Sequence, residues 1–249
     1  MINNKKVVAT IEGRMTSTRL PGKIMMPLCG KPVMQHMIER HRRSTFTDEV
    51  VVATTTNAAD DPVVRLCEEM NCPYFRGSEE DVLGRIVGAG TKHNADILVQ
   101  GMADSPLVDW RIVDQLIQML DEGGYDVTSN EFDDDKYPDG FDMRVYRFPA
   151  LQFIEKKYSV PEYREHAGYE IRSGKEYTRG LLHATGDMLW PELRLTLDTA
   201  EDYQLISAVY EALWPQNEDF SANDVVQFLK SHPELVAINA NIIQKQPPQ

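Results

Sequence analysis

The sequence lacks the features that mark several large classes of protein. Basic residues are scarce, since 26 Lys and Arg stand against 39 Asp and Glu, a net charge of −13. Nonspecific nucleic-acid binding is therefore not expected, because phosphate backbones attract a basic surface. No run approaches the roughly 20 apolar residues of a membrane span, and the first residues lead into a strand pattern rather than an apolar signal segment. We expect a soluble, cytoplasmic protein that binds neither nucleic acid nor membranes.

Cysteine is also scarce. The three cysteines, Cys29, Cys67 and Cys72, show no metal-ligand spacing. A zinc site or a disulfide framework is therefore not indicated, and reduced, partly buried thiols are expected.

Two common nucleotide-binding motifs are missing. A Walker loop needs two glycines with four residues between them and a Ser or Thr after its lysine, whereas Gly13 and Gly22 are farther apart and Ile24 follows Lys23. No Rossmann glycine fingerprint is present either. A phosphate site in this chain must therefore use a different loop.

The residues that are present predict an α/β fold. Hydrophobic residues make up 42% of the chain and charged residues 26%, as in globular domains. Short runs rich in Val, Ile and Leu alternate with helical patterns, which is typical of a doubly wound, mostly parallel sheet. Strands are predicted at 6–11, 50–53, 72–75 and 97–100, and helices after Pro32, from Asp61, at 80–91 and at 109–120.

The regular pattern is interrupted in the second half of the chain. Residues 130–146 are dense in Asp, Tyr, Pro and Gly, and helices predicted at 149–157 and 161–173 and a strand at 181–184 follow, so an insertion is expected at about 130–185. The α/β pattern resumes with a strand predicted at 193–197. It continues in helices predicted at 200–213 and after Ser221. We therefore expect one domain over residues 1–249 that carries a small α+β insertion.

The loop after the first strand carries the strongest functional signal. Residues 12–23 contain three cations, Arg14, Arg19 and Lys23, together with three hydroxyl side chains and two glycines. In an open parallel sheet this loop lies at the edge where ligands bind. Glycines allow a close backbone approach, and Arg and Lys neutralise phosphate charge. A solvated basic surface loop is the alternative, but its position favours a polyphosphate site.

The run 14–23, Arg-Met-Thr-Ser-Thr-Arg-Leu-Pro-Gly-Lys, closely resembles the signature of the cytidylyltransferases that make CMP-activated acidic sugars such as CMP-KDO and CMP-sialic acid. The resemblance is nearest to the spore-coat-polysaccharide branch of that family. It covers roughly residues 6–210, and further matches occur in the family's order. These matches are at 30–32, 51–57, 75–83, 104–109, 137–140, 164–166 and 194–202. The resemblance implies a Rossmann-like, nucleotide-diphospho-sugar transferase fold and a homodimer formed through the insertion.

The resemblance also implies a reaction and a set of site residues. In the family, an acceptor oxygen attacks the α-phosphate of CTP and pyrophosphate leaves, so charge neutralisation and in-line positioning are the main requirements. Arg14, Arg19 and Lys23 would be catalytic, and Asp104 and Asp198 would bind Mg²⁺. Residues facing the nucleotide would be Ile11, Glu12, Gly13, Arg76, Ser78 and Arg85. Residues of the acceptor pocket would be Tyr137, Asp139, Arg164 and His166.

Several of these residues have plainer alternatives. Asp104 and Asp198 precede Ser or Thr and a helix, so they could be turn or N-cap residues. An Arg pairing and a Ser N-cap would explain Arg76 and Ser78 equally well. Arg164 could form a surface ion pair with Glu162 or Glu165 instead of gripping a substrate carboxylate, and nothing local orients His166 as a base.

Two positions depart from the family pattern. The family usually has Gln-Ala or Pro-Ala before the signature Arg, whereas this chain has Glu12-Gly13. A carboxylate there puts the choice of nucleobase in question, because it accepts hydrogen bonds from an exocyclic amine but repels phosphate. The family also commonly has Gly before the metal-binding Asp, whereas this chain has Ala103, which reduces backbone freedom.

The sequence therefore leads to one principal hypothesis and three alternatives. The principal hypothesis is a Mg²⁺-dependent cytidylyltransferase that activates an acidic sugar for surface-polysaccharide biosynthesis. The first alternative keeps the chemistry but uses a phosphorylated or phosphonate acceptor, or another base. The others are a glycosyltransferase, which lacks support because no Asp-x-Asp pair ends a strand in the first half, and a non-catalytic nucleotide-binding protein.

Overall fold

The computed structural model describes residues 1–131, 136–165 and 176–243, in which the apolar runs form a seven-stranded sheet. Its strands are β1 (Val7–Glu12), β4 (Glu49–Thr55), β5 (Tyr74–Gly77), β6 (Ile97–Met102), β7 (Val127–Ser129), β8 (Arg144–Arg147) and β9 (Arg179–Leu181). A separate antiparallel pair comprises β2 (Pro27–Leu28) and β3 (Lys31–Pro32). The spatial order in the large sheet is β5-β4-β1-β6-β8-β7-β9.

Helices connect and cover these strands. They are α1 (Val33–His41), α2 (Asp61–Glu69), α3 (Val82–Lys92), α4 (Trp110–Gly123), α5 (Phe148–Lys157), α6 (Pro161–Glu165), α7 (Ala200–Leu213), α8 (Ala222–Lys230) and α9 (Pro233–Val236). In the described ranges, no helix is both long and apolar enough to cross a bilayer.

The sheet separates two hydrophobic layers. Alternate residues of β1 face opposite sides: Val7, Ala9 and Ile11 pack in the layer that contains α1, α2, α4, α7 and α8, whereas Val8 packs in the layer that contains α3 and α5. This alternation follows the two-residue period of a strand. Helices on both faces of a mostly parallel sheet confirm the predicted doubly wound α/β class.

The strand order locates the ligand edge. β1 pairs in parallel with β4 on one side and β6 on the other, and β4 pairs with β5. The chain thus runs from the centre to one edge and then returns to the other side of β1. At such a switch point the connections after β1 and β6 diverge, which opens a crevice at the carboxyl ends of these two strands.

The second half of the sheet differs from the prediction. β8 was not predicted, and it inserts antiparallel between β6 and β7. It has four residues with Arg at both ends, too short for a periodic signal. β9 begins at Arg179 rather than at 181, and of the predicted helix 161–173 the described part is α6, the remainder lying outside the described residues. The insertion therefore contributes β8, β9, α5 and α6.

The predicted strand at 193–197 is wrong. This segment is buried, but its one bridge, between Asp139 and Arg194, is isolated, and the segment is not a strand of the seven-stranded sheet. The Leu195 N–H donates to the Asp139 carbonyl at 2.7 Å, and the Leu197 N–H donates to the Asp104 carbonyl at 2.7 Å. Three buried leucines produced a strand-like pattern, although the backbone partners are loops.

Candidate active site

The loop after β1 is fastened at both ends. The Gly13 N–H donates to the Ala53 carbonyl at 3.3 Å, and the Met15 N–H donates to Asp60 Oδ1 at 2.7 Å. Asp60 is fully buried and also accepts from the Thr55 N–H at 3.1 Å. Gly22, in the left-handed region at φ 73°, donates to the Met15 carbonyl at 2.9 Å and closes the loop. The loop is thus held against the carboxyl end of β4.

Lys23 points from the end of this loop into the crevice. It is 8% exposed and begins a short 3₁₀ turn. Its Nζ donates to the Leu197 carbonyl at 2.7 Å and to Asp198 Oδ1 at 2.8 Å, and lies 3.5 Å from Asp104 Oδ2. The lysine therefore joins the ends of β1 and β6 to the buried segment that precedes α7.

Asp104 and Asp198, which are 94 residues apart in sequence, meet at this point. The backbone bond from Leu197 to Asp104 brings their segments together, although no strand does so. The N-caps of α4 and α7 are Asp109 and Thr199, so neither carboxylate caps a helix, and Asp104 lies in a turn. The N-cap alternative for these two residues is therefore wrong.

The environments of the two carboxylates differ. The Asp198 side chain is 5% exposed, whereas that of Asp104 is 31% exposed. Burial disfavours ionisation of Asp198, but Lys23, Arg194 and Arg19 outweigh burial and hold the pKa of Asp198 below its ordinary value. Asp198 is thus a fixed anion, and Asp104 faces the open side of the crevice.

The donor set fits Mg²⁺. Asp104 Oδ2 and Asp198 Oδ1 both lie within 3.5 Å of one point, the Lys23 Nζ. Magnesium commonly takes one or two carboxylates and completes its shell with waters and substrate phosphates. No group of three or more His, Cys, Asp or Glu side chains suited to a metal occurs in the ranges that the structure describes. The pair would therefore hold the ion together with water and phosphate.

Arg194 and Asp202 support Asp198, and neither was predicted as a site residue. Arg194 Nη2 donates to Asp198 Oδ2 at 2.8 Å, and its Nε donates to Asp202 Oδ1 at 3.0 Å. Burial opposes the charge on Arg194, but Asp202 and Asp198 outweigh it and raise the pKa of Arg194. Asn239, near the described end of the chain, donates to Asp202 Oδ1 at 2.8 Å. An Arg inside a run of leucines, with Asp four and eight residues later, was the available signal.

The two arginines of the loop reach different partners. Arg19 Nη2 lies 2.9 Å from Asp198 Oδ1, so Arg19 and Lys23 share one carboxylate. Arg14 Nη1 instead lies 3.2 Å from Glu79 Oε1, an oxygen that also accepts from the Thr16 hydroxyl. The side chains of Arg14 and Arg19 are 36% and 40% exposed. Both guanidinium groups are accessible to a ligand in the crevice.

Two predicted nucleotide-facing arginines, Arg76 in β5 and Arg85 in α3, have mostly backbone partners. Arg76 donates to the carbonyls of Thr55 and Asn57 and pairs with Asp61 at 2.8 Å. Arg85 is 3% exposed and donates to the carbonyls of Ala53 and Ser78. Ser78 itself is exposed.

The cap of α3 is not Ser78. Asp81 is the N-cap and accepts from the Gly84 N–H at 2.8 Å. Ser78 as an N-cap is therefore wrong. The Arg85 guanidinium donates to the Ser78 carbonyl and so fixes the backbone of the segment before this helix.

Glu12 turns toward β6 instead of into the phosphate loop. Its two carboxylate oxygens accept from the Gln100 amide at 3.1 and 3.3 Å, and Gln100 Oε1 accepts from the Tyr146 hydroxyl at 2.9 Å. Burial raises the pKa of Glu12 from its ordinary 4.5 to about 7, and Asp104 adds to the effect, while Gln100 and Arg85 oppose it. Near neutral pH this carboxyl therefore carries less than a full negative charge beside the loop.

The two departures from the family pattern contact each other. A Cβ on Gly13 would lie 2.8 Å from the Cβ of Ala103 and 3.0 Å from Met34 Cε. Ala103 is not among the residues with positive φ, so it adopts its conformation without strain. The chain thus carries its methyl group on the β6 side of this contact and its glycine on the β1 side, the reverse of the arrangement that the resemblance implies. The two changes compensate each other in space.

Tyr137, Asp139 and Arg164, the predicted acceptor residues that the structure describes, have different kinds of partner. Tyr137 is buried in the hydrophobic core, and Asp139 pairs with Lys136 at 2.8 Å beside the bridge to Arg194. Arg164 donates a forked pair of bonds to Asp81, at 2.9 and 2.7 Å, and also binds Glu155. The suggested pairing of Arg164 was with Glu165 or with Glu162, whose side chain lies outside the described part of the structure; the ion-pair partners observed are Asp81 and Glu155. His166 lies outside the described residues.

A charged group at the ends of β7 and β8 was missed. Arg144 Nε donates to Glu131. Burial lowers the pKa of Arg144, but Glu131 and other anions outweigh burial, so this pKa lies above its ordinary value. Burial raises the pKa of Asp142, and Glu131 and Asp139 raise it further. Arg144 lies opposite Gln100 of β6, and of these residues, all in the predicted insertion, only Asp139 was predicted as a site residue.

Comparisons with known proteins identify the family of this chain. The cytidylyltransferase family model matches residues 8–179. The spore coat polysaccharide biosynthesis protein SpsF of Bacillus subtilis is 31% identical over 234 residues, 92% of this chain and 95% of that protein. A 3-deoxy-manno-octulosonate cytidylyltransferase of Geobacter sulfurreducens is 32% identical over 118 residues, 47% of this chain and 46% of its own.

A solved cytidylyltransferase structure from Leptospira borgpetersenii superposes with a TM-score of 0.87 at 28% identity and covers 97% of this chain and 100% of its own. The sequence match, the superposition and the cationic loop at the β1 and β6 edge lead to one conclusion. The chain belongs to the cytidylyltransferase family and is a nucleotidyltransferase.

Proposed function

We propose that this protein transfers CMP from CTP to an acidic sugar, in a Mg²⁺-dependent reaction that releases pyrophosphate and serves surface-polysaccharide biosynthesis. The observation that carries the proposal is the placement of Lys23 between Asp104 and Asp198 at the switch point of the sheet. That edge is where doubly wound folds bind ligands. The names of the SpsF and 3-deoxy-manno-octulosonate relatives support the acceptor class and the polysaccharide role.

The cationic loop supplies the electrostatic part of the reaction. Arg14 and Arg19 are accessible and flank Lys23, so the three cations can neutralise the triphosphate and the charge that develops on departing pyrophosphate. Asp104 and Asp198 would hold Mg²⁺, which when bound would neutralise phosphate charge and orient the α-phosphate. Direct displacement then requires positioning rather than a covalent protein intermediate.

The acceptor would enter from the β6 and β8 side of the crevice. Arg144 begins β8 opposite Gln100 of β6, and Lys136 lies close by in the segment before it. These cations can balance an acceptor carboxylate, since Arg144 stays charged at all physiological pH values. The nucleotide would occupy the β1 and β4 side, next to Gly13.

We also propose a cytoplasmic homodimer formed through the insertion. Phe153 of α5 is 56% exposed, and Val160 just before α6 is 45% exposed. Large apolar side chains exposed together mark contact surfaces. Sedimentation across a concentration range tests this, because a Phe153→Ser variant should shift the equilibrium toward monomer.

The test of function measures products. Wild type is incubated with CTP, Mg²⁺ and a panel of acidic-sugar, sugar-phosphate and phosphonate acceptors, and both pyrophosphate and CMP-conjugates are quantified. We expect pyrophosphate and conjugate in equal amounts with an acidic sugar. Lys23→Ala and Asp104→Ala, verified as folded, should lose at least about a hundredfold in rate, whereas Lys31→Ala, whose ion pair with Glu39 lies away from the crevice, should not.

Three outcomes would contradict the proposal. Conjugation of a phosphorylated acceptor alone would change the substrate class. Release of nucleotide without pyrophosphate would indicate a glycosyltransferase. Tight CTP binding without turnover on any acceptor would indicate a non-catalytic protein.

A further inference from the structure

Lys23 lies where a divalent ion would bind. We propose that its ammonium is a built-in counter-ion for Asp104 and Asp198, which gives way to the metal when a nucleoside triphosphate draws Lys23 away, so that metal and nucleotide bind cooperatively. This rests on the nucleotide site proposed above. Lys23 then has two opposite effects: its charge favours binding of the phosphates, but it opposes binding of the metal in the free protein.

The distances make the two cations mutually exclusive. Lys23 Nζ is 2.8 Å from Asp198 Oδ1 and 3.5 Å from Asp104 Oδ2. A Mg²⁺ ion that bridges the same oxygens needs contacts of about 2.0–2.1 Å to each and room for its waters. Both ions cannot occupy that volume, and their repulsion at such short range in a partly buried site is large.

The local charge is balanced before any metal arrives. Three carboxylates, those of Asp104, Asp198 and Asp202, face three cations, those of Lys23, Arg19 and Arg194. A divalent ion added alone would leave this partly buried site with excess positive charge. A metal accompanied by a triphosphate brings net negative charge, which favours transfer of Lys23 and Arg19 onto phosphate oxygens.

The anchoring of the partners indicates which group moves. Asp198 Oδ2 is held by Arg194 at 2.8 Å, and Arg194 is held in turn by the fully buried Asp202. Asp198 therefore stays in place when its other oxygen is released. Lys23 instead has a flexible four-carbon stem that follows Gly22. The lysine is the exchangeable member of the cluster.

The test is a Mn²⁺ titration of the free protein, followed by electron paramagnetic resonance of unbound Mn²⁺ without nucleotide. We expect Lys23→Met to bind Mn²⁺ at least about tenfold more tightly than wild type, because the competing charge is gone. Lys23→Gln, which keeps a donor for the Leu197 carbonyl, should also bind Mn²⁺ more tightly than wild type. It replaces the methionine variant in the test if that variant unfolds. Lys6→Met is the matched control, since Lys6 pairs with Glu49 at 2.8 Å at the opposite edge of the sheet.

Two further titrations test whether the gained Mn²⁺ affinity arises at Asp198 and depends on nucleotide. Adding Asp198→Asn to Lys23→Met should abolish the gained affinity. After correction for the Mn²⁺ that CTP binds in the absence of protein, CTP should tighten Mn²⁺ binding by at least about tenfold in wild type and by less in Lys23→Met. Equal nucleotide-free affinity of wild type and both Lys23 variants would overturn the proposal. If CTP fails to bind wild type, the proposed function is wrong, but the nucleotide-free comparison still decides the role of Lys23.

Discussion

Replacement of Asp202 by alanine removes the centre of the buried network that fixes Asp198. Its two oxygens accept five hydrogen bonds: from Arg194 Nε at 3.0 Å and Nη2 at 3.1 Å, from the backbone of Asp198 and Thr199 at 3.0 Å each, and from Asn239 at 2.8 Å. Asp202 has no exposed surface. The variant would leave the buried Arg194 without the Asp202 carboxylate, while its bond to Asp198 remains.

The expected cost follows from these contacts. Breaking a buried ion pair by removing one partner costs about 3–5 kcal/mol, and losing a helix cap costs about 1 kcal/mol. Because one side chain makes both contributions and Asp198 still balances part of the charge, we expect a total of about 4 kcal/mol. For a chain of this size that corresponds to a fall in Tm of about 8–16 °C.

The chain provides its own control. Asp202 forms a capping box with Thr199 at the start of α7, and Asp224 forms one with Ser221 at the start of α8. Asp224, however, is exposed and pairs with no arginine among its described contacts. Urea denaturation of Asp202→Ala and Asp224→Ala should give losses of about 4 and about 1 kcal/mol. Equal losses near 1 kcal/mol would refute the conclusion that Arg194 depends on Asp202.

Three further predictions test neighbouring features. Gly13→Ala should cost about 1–3 kcal/mol through its clash with Ala103, and the double variant Gly13→Ala/Ala103→Gly should recover most of it; strictly additive losses would refute the compensation. The raised pKa of Glu12 means that its ionisation opposes folding: the cost is absent below pH 4.5, grows toward about pH 7 and is complete above. Glu12→Gln should therefore gain up to about 3 kcal/mol over wild type between these pH values, and a pH-independent difference in denaturation would contradict this. Arg164→Ala should lose about 1–2 kcal/mol with its pair to Asp81, without a change in acceptor KM; a raised KM at unchanged stability would return Arg164 to the acceptor pocket.

The first half of the fold could be predicted because its signals are local. The runs that became β1, β4 and β6 are apolar, branched and bounded by turn residues, which is what a buried parallel strand requires. β8 could not be predicted, because a four-residue strand with arginines at both ends owes its pairing to β6 and β7. The run 193–197 misled for the opposite reason, since burial without sheet pairing gives the same apolar pattern.

Some features of the site could likewise be predicted from the sequence, and others could not. Lys23, Asp104 and Asp198 were predictable from the motifs that the chain shares with the family, and the structure brings them together. The partners of Arg85 and Arg164 were not predictable, because the acceptors that fix them, such as the Ala53 carbonyl and Asp81, are distant in sequence. A guanidinium that binds substrate and one that braces a loop look alike until its acceptors are known.

The central claim is that the loop from Gly13 to Lys23 binds CTP together with Mg²⁺ at the β1 and β6 edge. Thermal unfolding of wild type and Lys23→Ala with CTP, UTP, GTP or ATP, each with and without Mg²⁺, tests it most directly, because a ligand that prefers the native state raises Tm. We expect a shift for CTP in wild type that Mg²⁺ strengthens, and its loss in the variant. No shift with any nucleotide, or an equal shift in both proteins, would contradict the account.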